Sequence, residues 1–277
     1  MAIPRVPRET ESIDVSGIDI VRWNPPRRLT RRRIGRWLPR FGSTNNFGDM
    51  LGPVAASHLA PRSVVAPQRR RLVVVGSIMH FALDGDVVWG AGVNGKVPLD
   101  QIRARDLDVR AVRGPLTATT LRTLGISVPD VFGDPGLLVA KQLGIRRAPE
   151  PATGVVSLPN LRDASDWTKR DGYVNPCAPY REVIEAIAGA ERVVTSSLHG
   201  LIIAESIGVP VSLVKSREEP SFKYEDYFEG TGRGLSVLHA SYEAAYDARP
   251  TDPLVWDEAA LVASFPDDLW RGTDHAV

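Results

Sequence analysis

Apolar and polar positions along the chain fall into short β-branched runs separated by stretches long enough for a helix. The runs are residues 18–23, 71–77, 87–93, 109–114, 154–158, 192–197 and 209–214. Such alternation predicts crossover units and parallel sheets, an α/β fold. Leu72, Val73, Val74 and Val75, and later Val193 and Val194, are apolar on both faces. They are expected to be central strands covered by helices on each side.

Helix boundaries are marked by their usual residues. Pro115 opens residues 116–124, which close at Gly125, and residues 202–206 run on to Gly208 before Val209 and Pro210. Residues 50–59 and 257–265 also read as helices. The stretch 146–153, with two prolines and Gly154 just beyond it, reads as a linker, dividing the chain into residues 1–148 and 149–277. After Pro220 the periodicity weakens.

Composition narrows the class without naming it. In 277 residues, 34 Lys and Arg oppose 33 Asp and Glu, so no overall field attracts nucleic acid. The single cysteine, Cys177, cannot form an internal disulfide. With no apolar leader or membrane-length run, the expectation is a cytoplasmic protein. One local asymmetry stands out: residues 27–40 hold seven arginines and no acid. That segment reads either as a solvated basic loop or as a contact for an anionic membrane face or acidic polymer.

Chemistry concentrates at a few turns. Ser196-Ser197-Leu198-His199-Gly200 joins a strand to a helix, so Ser196 or Ser197 can cap it while the first-turn amides offer an anion site. The dipole there disfavours an imidazolium, so a neutral His199 could accept or relay a proton; the alternative is a histidine packed against the sheet. Asn45 or Asn46 can cap the helix that follows, with Asp49 in its first turn, where it could orient a sugar hydroxyl, act as a base, or simply suit the dipole. Arg110 and Arg113 lie on opposite faces of a strand, leaving one for a site and one for an ion pair.

Other motifs point elsewhere or nowhere. The run from Gly90 to Gly95 matches G-x-G-x-x-G, but no helix pattern follows, so it reads as a glycine-rich turn. Asp84-Gly85-Asp86 reads as a hairpin turn. His58, His80, His199, His239 and His275 show no ligand spacing, and no metal site is expected. A G-x-S-x-G elbow is absent.

Seven motifs in order resemble the polysaccharide pyruvyl transferase family, and the bacterial exopolysaccharide ketal-pyruvate transferases above all. They are Asn46-Phe47-Gly48-Asp49, Val75-Gly76-Ser77, Val88-Trp89-Gly90-Ala91-Gly92, Val112-Arg113-Gly114-Pro115-Leu116-Thr117, Gly133-Asp134-Pro135, Ser196-Ser197-Leu198-His199-Gly200 and Lys223-Tyr224-Glu225-Asp226-Tyr227. The resemblance implies two Rossmann-like domains in a glycosyltransferase-B-like arrangement, with phosphoenolpyruvate as donor and no cofactor or metal. The acceptor would be a saccharide or lipid-linked oligosaccharide.

By the same resemblance His199, Asp49 and Arg113 would be catalytic. Asn46, Gly48, Ser77, Gly92, Ser196, Ser197, Gly200 and Lys223 would bind substrate. Two positions depart from the family. Leu198 stands where many relatives have Arg, and Asn160 follows Pro159 where many have His. The missing cation would then come from Lys215, Arg217 or Lys223. Rival readings are a glycosyltransferase using a nucleotide sugar and a non-catalytic carbohydrate-binding protein.

Overall fold

The structure is a computed structural model describing residues 9–26, 43–62 and 64–271, so the arginine-rich segment 27–40 lies outside the described residues. Two sheets organise it. The first runs in the order β1 (Thr10–Val15), β2 (Ile18–Trp23), β3 (Arg70–Val73), β4 (Val87–Trp89) and β5 (Asp108–Ala111). β2 to β5 are parallel; β1 returns antiparallel on β2. Ser16 and Gly17, at φ 50° and 92°, form the two-residue turn between them, since paired positive φ matches the twist of the strands. The second sheet, β6 (Thr153–Leu158), β7 (Ala190–Thr195), β8 (Val211–Val214) and β9 (Leu238–His239), is wholly parallel.

The helices are α1 (Phe47–Leu59), α2 (Pro115–Thr123), α3 (Gly136–Gln142), α4 (Ala164–Trp167), α5 (Tyr180–Ala188), α6 (Leu198–Ser206), α7 (Phe222–Gly230), α8 (Tyr242–Asp247), α9 (Ala259–Ala263) and α10 (Asp268–Arg271). The α/β class with parallel sheets therefore stands. The doubly apolar runs occupy interior strands, β3 and β7. Several strands end sooner than their apolar runs. Gly76 and Gly90 take φ of 102° and 92°, which turns the backbone out of the ladder and converts the rest of each run into a loop at the carboxyl edge.

One apolar core joins the two sheets. Ile20, Leu72 and Val74 meet α1 through Leu51 and Ala55, and α3 and α6 carry the same core across to Val193 and Leu213. In α6 the consecutive residues Leu201, Ile202, Ile203 and Ala204 are all buried, as befits a helix enclosed on every side. In α5, by contrast, Val183, Ile184 and Ile187 make one buried stripe. The chain end returns to the first sheet: the Trp89 indole donates to the Leu261 carbonyl at 2.9 Å, and that of Trp270 to the Val15 carbonyl at 3.0 Å.

Candidate active site

A cavity of about 840 Å³ lies at the carboxyl ends of the parallel strands. Nearly every wall is a loop leaving such an end: Trp23 and Pro25 after β2, Ser77 after β3, Asn94 and Lys96 after β4, Asn160 and Arg162 after β6, Ser197 and His199 after β7, and Glu219 after β8. α1 adds Asn46 and Asp49, and α7 adds Lys223. Carboxyl edges are where open α/β sheets bind ligands, because helix N-termini and free loops converge there. A second cavity of about 380 Å³, beside Lys169, Tyr242 and Tyr246, is lined by none of the residues singled out from the sequence.

The turn after β7 is fixed by its own side chains. Thr195 Oγ1 donates to the Leu158 carbonyl at 2.6 Å and accepts from the Ser197 amide at 2.9 Å. Ser197 caps α6, its Oγ accepting from the Gly200 amide at 3.3 Å, an interaction worth about 1 kcal/mol. Ser196 faces inward instead. Its Oγ donates to Asp163 at 2.8 Å and accepts from the Asn160 amide at 2.9 Å, while its carbonyl accepts from the Tyr224 hydroxyl. A Cβ at Gly200 would lie 2.6 Å from Thr195 Oγ1. Ser196 and Gly200 thus shape the turn and do not line the cavity.

His199 projects from the first turn of α6 and is half-buried. Its Nε2 is sealed from solvent and has no hydrogen-bond partner among the described residues. Burial, reinforced by the charges of Lys223 and Arg113, pushes its pKa down to about 3, so the imidazole is neutral. The ring lies against Gly48, where a Cβ would sit 2.1 Å from Nδ1. Gly48 therefore places the histidine.

At the start of α1, on either side of Gly48 in the chain, Asn46 and Asp49 form a second group. Asn46 occupies the N-cap position of α1 but makes no side-chain cap bond; its amide donates to Asp49 Oδ2 at 3.0 Å. Burial raises the Asp49 carboxyl to about 7 against the opposing pull of Asn46, Arg22 and Lys223. Asn45 holds the turn from behind at φ 50°, its amide donating to Asn24 Oδ1 at 2.9 Å.

Arg113 follows β5 and is completely buried. Its Nε donates to Asp226 at 2.9 Å, one terminal nitrogen to Ser77 Oγ at 2.7 Å and the other to the Val93 carbonyl at 2.7 Å. Asp226 also accepts from the Thr117 amide and hydroxyl. Gly92 makes room for the guanidinium, since a Cβ there would lie 2.4 Å from its Cζ. Arg110 pairs with Asp108 and Asp268, so both arginines are in ion pairs. Arg113 meets the cavity only through Ser77, whose oxygen it engages, leaving the hydroxyl proton to be donated elsewhere.

Of the three lysine or arginine side chains considered as substitutes for the missing cation, Lys223 lines the cavity. Lys215 is exposed outside it, and Arg217 pairs with Asp166. Burial, only partly offset by Glu219, lowers the Lys223 ammonium to about 8. Lys96, His80, Asn94, Arg162 and Glu219 also line the cavity and were not picked out from the sequence. Lys96 had a signal: it follows the glycine-rich turn at once, where a loop at a strand's carboxyl end should lie. Asp84 and Asp86 are occupied in turns, accepting from the backbone amides of Arg105 and Leu83.

Fold and site together define an α/β protein that gathers an acid, a neutral imidazole and lysines where two parallel sheets end. The chain belongs to the polysaccharide pyruvyl transferase family, whose model matches residues 42–216. Over 203 residues it is 30% identical to the succinoglycan biosynthesis protein ExoV of Rhizobium meliloti (strain 1021), covering 68% of this chain and 62% of that protein. An uncharacterised protein, L143, of Acanthamoeba polyphaga mimivirus is 27% identical over 203 residues, 68% of this chain and 70% of that one. The crystal structure of an uncharacterised Klebsiella pneumoniae protein superposes with a TM-score of 0.44 at 11% identity, covering 66% of this chain and 83% of that one. Among the described residues no helix is long and apolar enough to cross a membrane.

Proposed function

We propose that this protein is a pyruvyl transferase that moves the enolpyruvyl group of phosphoenolpyruvate onto two hydroxyls of one sugar in an exopolysaccharide or glycolipid precursor. The product is a pyruvate ketal, and phosphate is released. The observation that carries the reading is the shared cavity: Asp49, with a pKa of about 7, faces the same space as a neutral His199 with an unpartnered nitrogen and a buried Lys223. Family membership and the ExoV relative point the same way.

The chemistry needs one proton delivered and two removed. Asp49, partly protonated near neutrality, gives a proton to the methylene carbon, and the central carbon becomes an oxocarbenium that the first hydroxyl attacks. Phosphate departs with the proton that this hydroxyl sheds. The second hydroxyl then closes the ring and returns its proton to Asp49, so the acid is restored. His199, neutral before and after turnover, accepts a hydroxyl proton in transit and passes it on, a role worth roughly 10²- to 10⁴-fold. Lys223 and the first-turn amides of α6 hold the anionic donor. Arg113 acts through Ser77 as a positioning residue.

In this reading residues 1–148 and 149–277 are acceptor and donor sides of a glycosyltransferase-B-like pair of Rossmann-like domains, at work in the cytoplasm. Segment 27–40 would hold the acceptor's anionic carrier or the membrane face. The test is to incubate the protein with phosphoenolpyruvate and a panel of glycans. Phosphate release together with an acceptor gain of one pyruvate less one water is expected. Neither appearing, with thermal stabilisation by UDP- or GDP-sugars instead, would overturn it in favour of a glycosyltransferase.

A further inference from the structure

Of the cavity carboxylates that the proposed chemistry does not use, Glu9, Glu218 and Glu219, the last is the most enclosed. Glu219 follows β8, and three cations from three other segments converge on it. Lys96 Nζ, from the loop after β4, is 2.5 Å from Oε1; Lys223 Nζ, on α7, is 3.4 Å from Oε2; Arg162 Nε, after β6, is 3.8 Å from Oε1. The Glu219 and Lys223 side chains are only 10% and 7% exposed, so solvent screens that pair little, whereas Lys96 and Arg162, at 37% and 46%, approach it from the open side. Burial pushes the Glu219 carboxyl up, but the charge of Lys223 and the hydrogen bond from Lys96 outweigh it, and the group is ionised. Glu218 takes a share of Arg162 at 3.1 Å, and His80 lies within the field of Lys96.

We propose that Lys96, Arg162 and Lys223 form an anion subsite of the cavity and that Glu219 occupies it as an internal stand-in, which the anionic group of the substrate must displace. The ligand class is a phosphate monoester or a free carboxylate, and the inference rests on the donor reading above. Three positive groups fixed around one oxygen pair are what such a ligand requires, and the ionised carboxylate already occupies the point on which they converge. Glu219 therefore opposes binding. It keeps the lysines placed while nothing else is bound, and it sets the affinity low enough for phosphate to leave after transfer. A carboxylate that merely oriented the lysines for an anion bound elsewhere would have the opposite effect on removal.

The sign decides. Inorganic phosphate and phosphoenolpyruvate are titrated calorimetrically, in low salt, into wild type, Glu219→Gln and the charge control Asp166→Asn, whose site pairs with Arg217 outside the cavity. Glu219→Gln is expected to bind both ligands about tenfold tighter or more, with a steeper loss of affinity as salt rises, and Asp166→Asn to change by less than about twofold. Unchanged or weaker binding in Glu219→Gln overturns the stand-in. If the amide variant does not fold, Glu219→Asp, which draws the charge back by one methylene, should still tighten phosphate by about threefold, and no tightening counts against the proposal. Tighter phosphate with no binding of phosphoenolpyruvate to any form would remove the donor reading and leave the stand-in intact. Turnover with phosphoenolpyruvate and no tightening would do the reverse.

Discussion

Arg113, completely buried, and His199, half-buried with its Nε2 sealed from solvent, are two polar side chains of the same site, and they differ in how their hydrogen-bonding capacity is used. Every terminal nitrogen of Arg113 has a partner, in Asp226, Ser77 and the Val93 carbonyl. His199 has an inaccessible nitrogen with none. A buried polar atom left unpaired costs about 1–3 kcal/mol, so a fold keeps one only where something else is gained. Both residues sit in family motifs, and membership of a motif does not separate their roles. Partner accounting does: the arginine holds the scaffold together, and the histidine keeps a nitrogen without a partner, as the proposed proton relay requires.

The largest effect should come from breaking the saturated group. Arg113→Met leaves Asp226 buried without its counter-charge, which costs about 3–5 kcal/mol. Urea unfolding should show that loss, and adding Asp226→Asn should recover part of it by removing the stranded charge. Should Arg113→Met unfold like the wild type while phosphate release disappears, the arginine would instead be a donor ligand. Loss of turnover in this variant is otherwise a consequence of the fold.

His199→Gln should do the opposite, lowering turnover by about 10²- to 10⁴-fold while leaving stability at neutral pH nearly unchanged. The two forms should part at acid pH. The unfolded imidazole titrates near its ordinary 6.5, and the folded one near 3. Above 6.5 both are neutral and the contribution is fully present. As pH falls from 6.5 towards 3, the unfolded chain takes a proton that the folded one refuses, and stability drops by up to about 1.4 kcal/mol per unit. Thermal melts across that window should slope less in His199→Gln. Parallel slopes would mean that the ring is solvated and titrates normally.

How much of this the sequence discloses depends on whether a residue's role is local. A strand over residues 192–197 and a serine cap at 196 or 197 follow from neighbouring residues alone; the strand is present as Ala190–Thr195, and the cap is Ser197. The hairpin partner β1 is missed because its polar residues leave only a half-buried edge, and α7 because Lys223 and Asp226 are buried charges that interrupt its apolar stripe. The partner of Arg113 lies 113 residues away, so spacing could limit its options to a site or an ion pair and go no further. Glu219 shows locally only its i,i+4 relation to Lys223, since Lys96 and Arg162 reach it from distant loops.

Two glycines sharpen the contrast, because each supports one of the two side chains. Gly92→Ala would place a methyl 2.4 Å from the Arg113 Cζ and push the guanidinium off its partners, at about 1–3 kcal/mol of stability. Gly48→Ala would place one 2.1 Å from His199 Nδ1. Its steric cost is partly offset by the roughly 0.5–1 kcal/mol gained by alanine in α1. The first variant should therefore lose melting temperature, and the second mainly turnover. The reverse pattern would exchange the two roles.

The smallest effect tests the contrast inside one motif. Ser196 and Ser197 are adjacent, but Ser196 is bonded to Asp163 and to the Asn160 amide and does not line the cavity. Ser196→Ala should cost about 1–2 kcal/mol by leaving the Asn160 amide without its acceptor. KM for phosphoenolpyruvate should stay within about twofold, because a turn held also by Thr195 and by the Ser197 cap keeps its geometry. A raised KM at wild-type stability would place Ser196 on the donor, and the division between holding and binding would then run between neighbouring side chains at a different point.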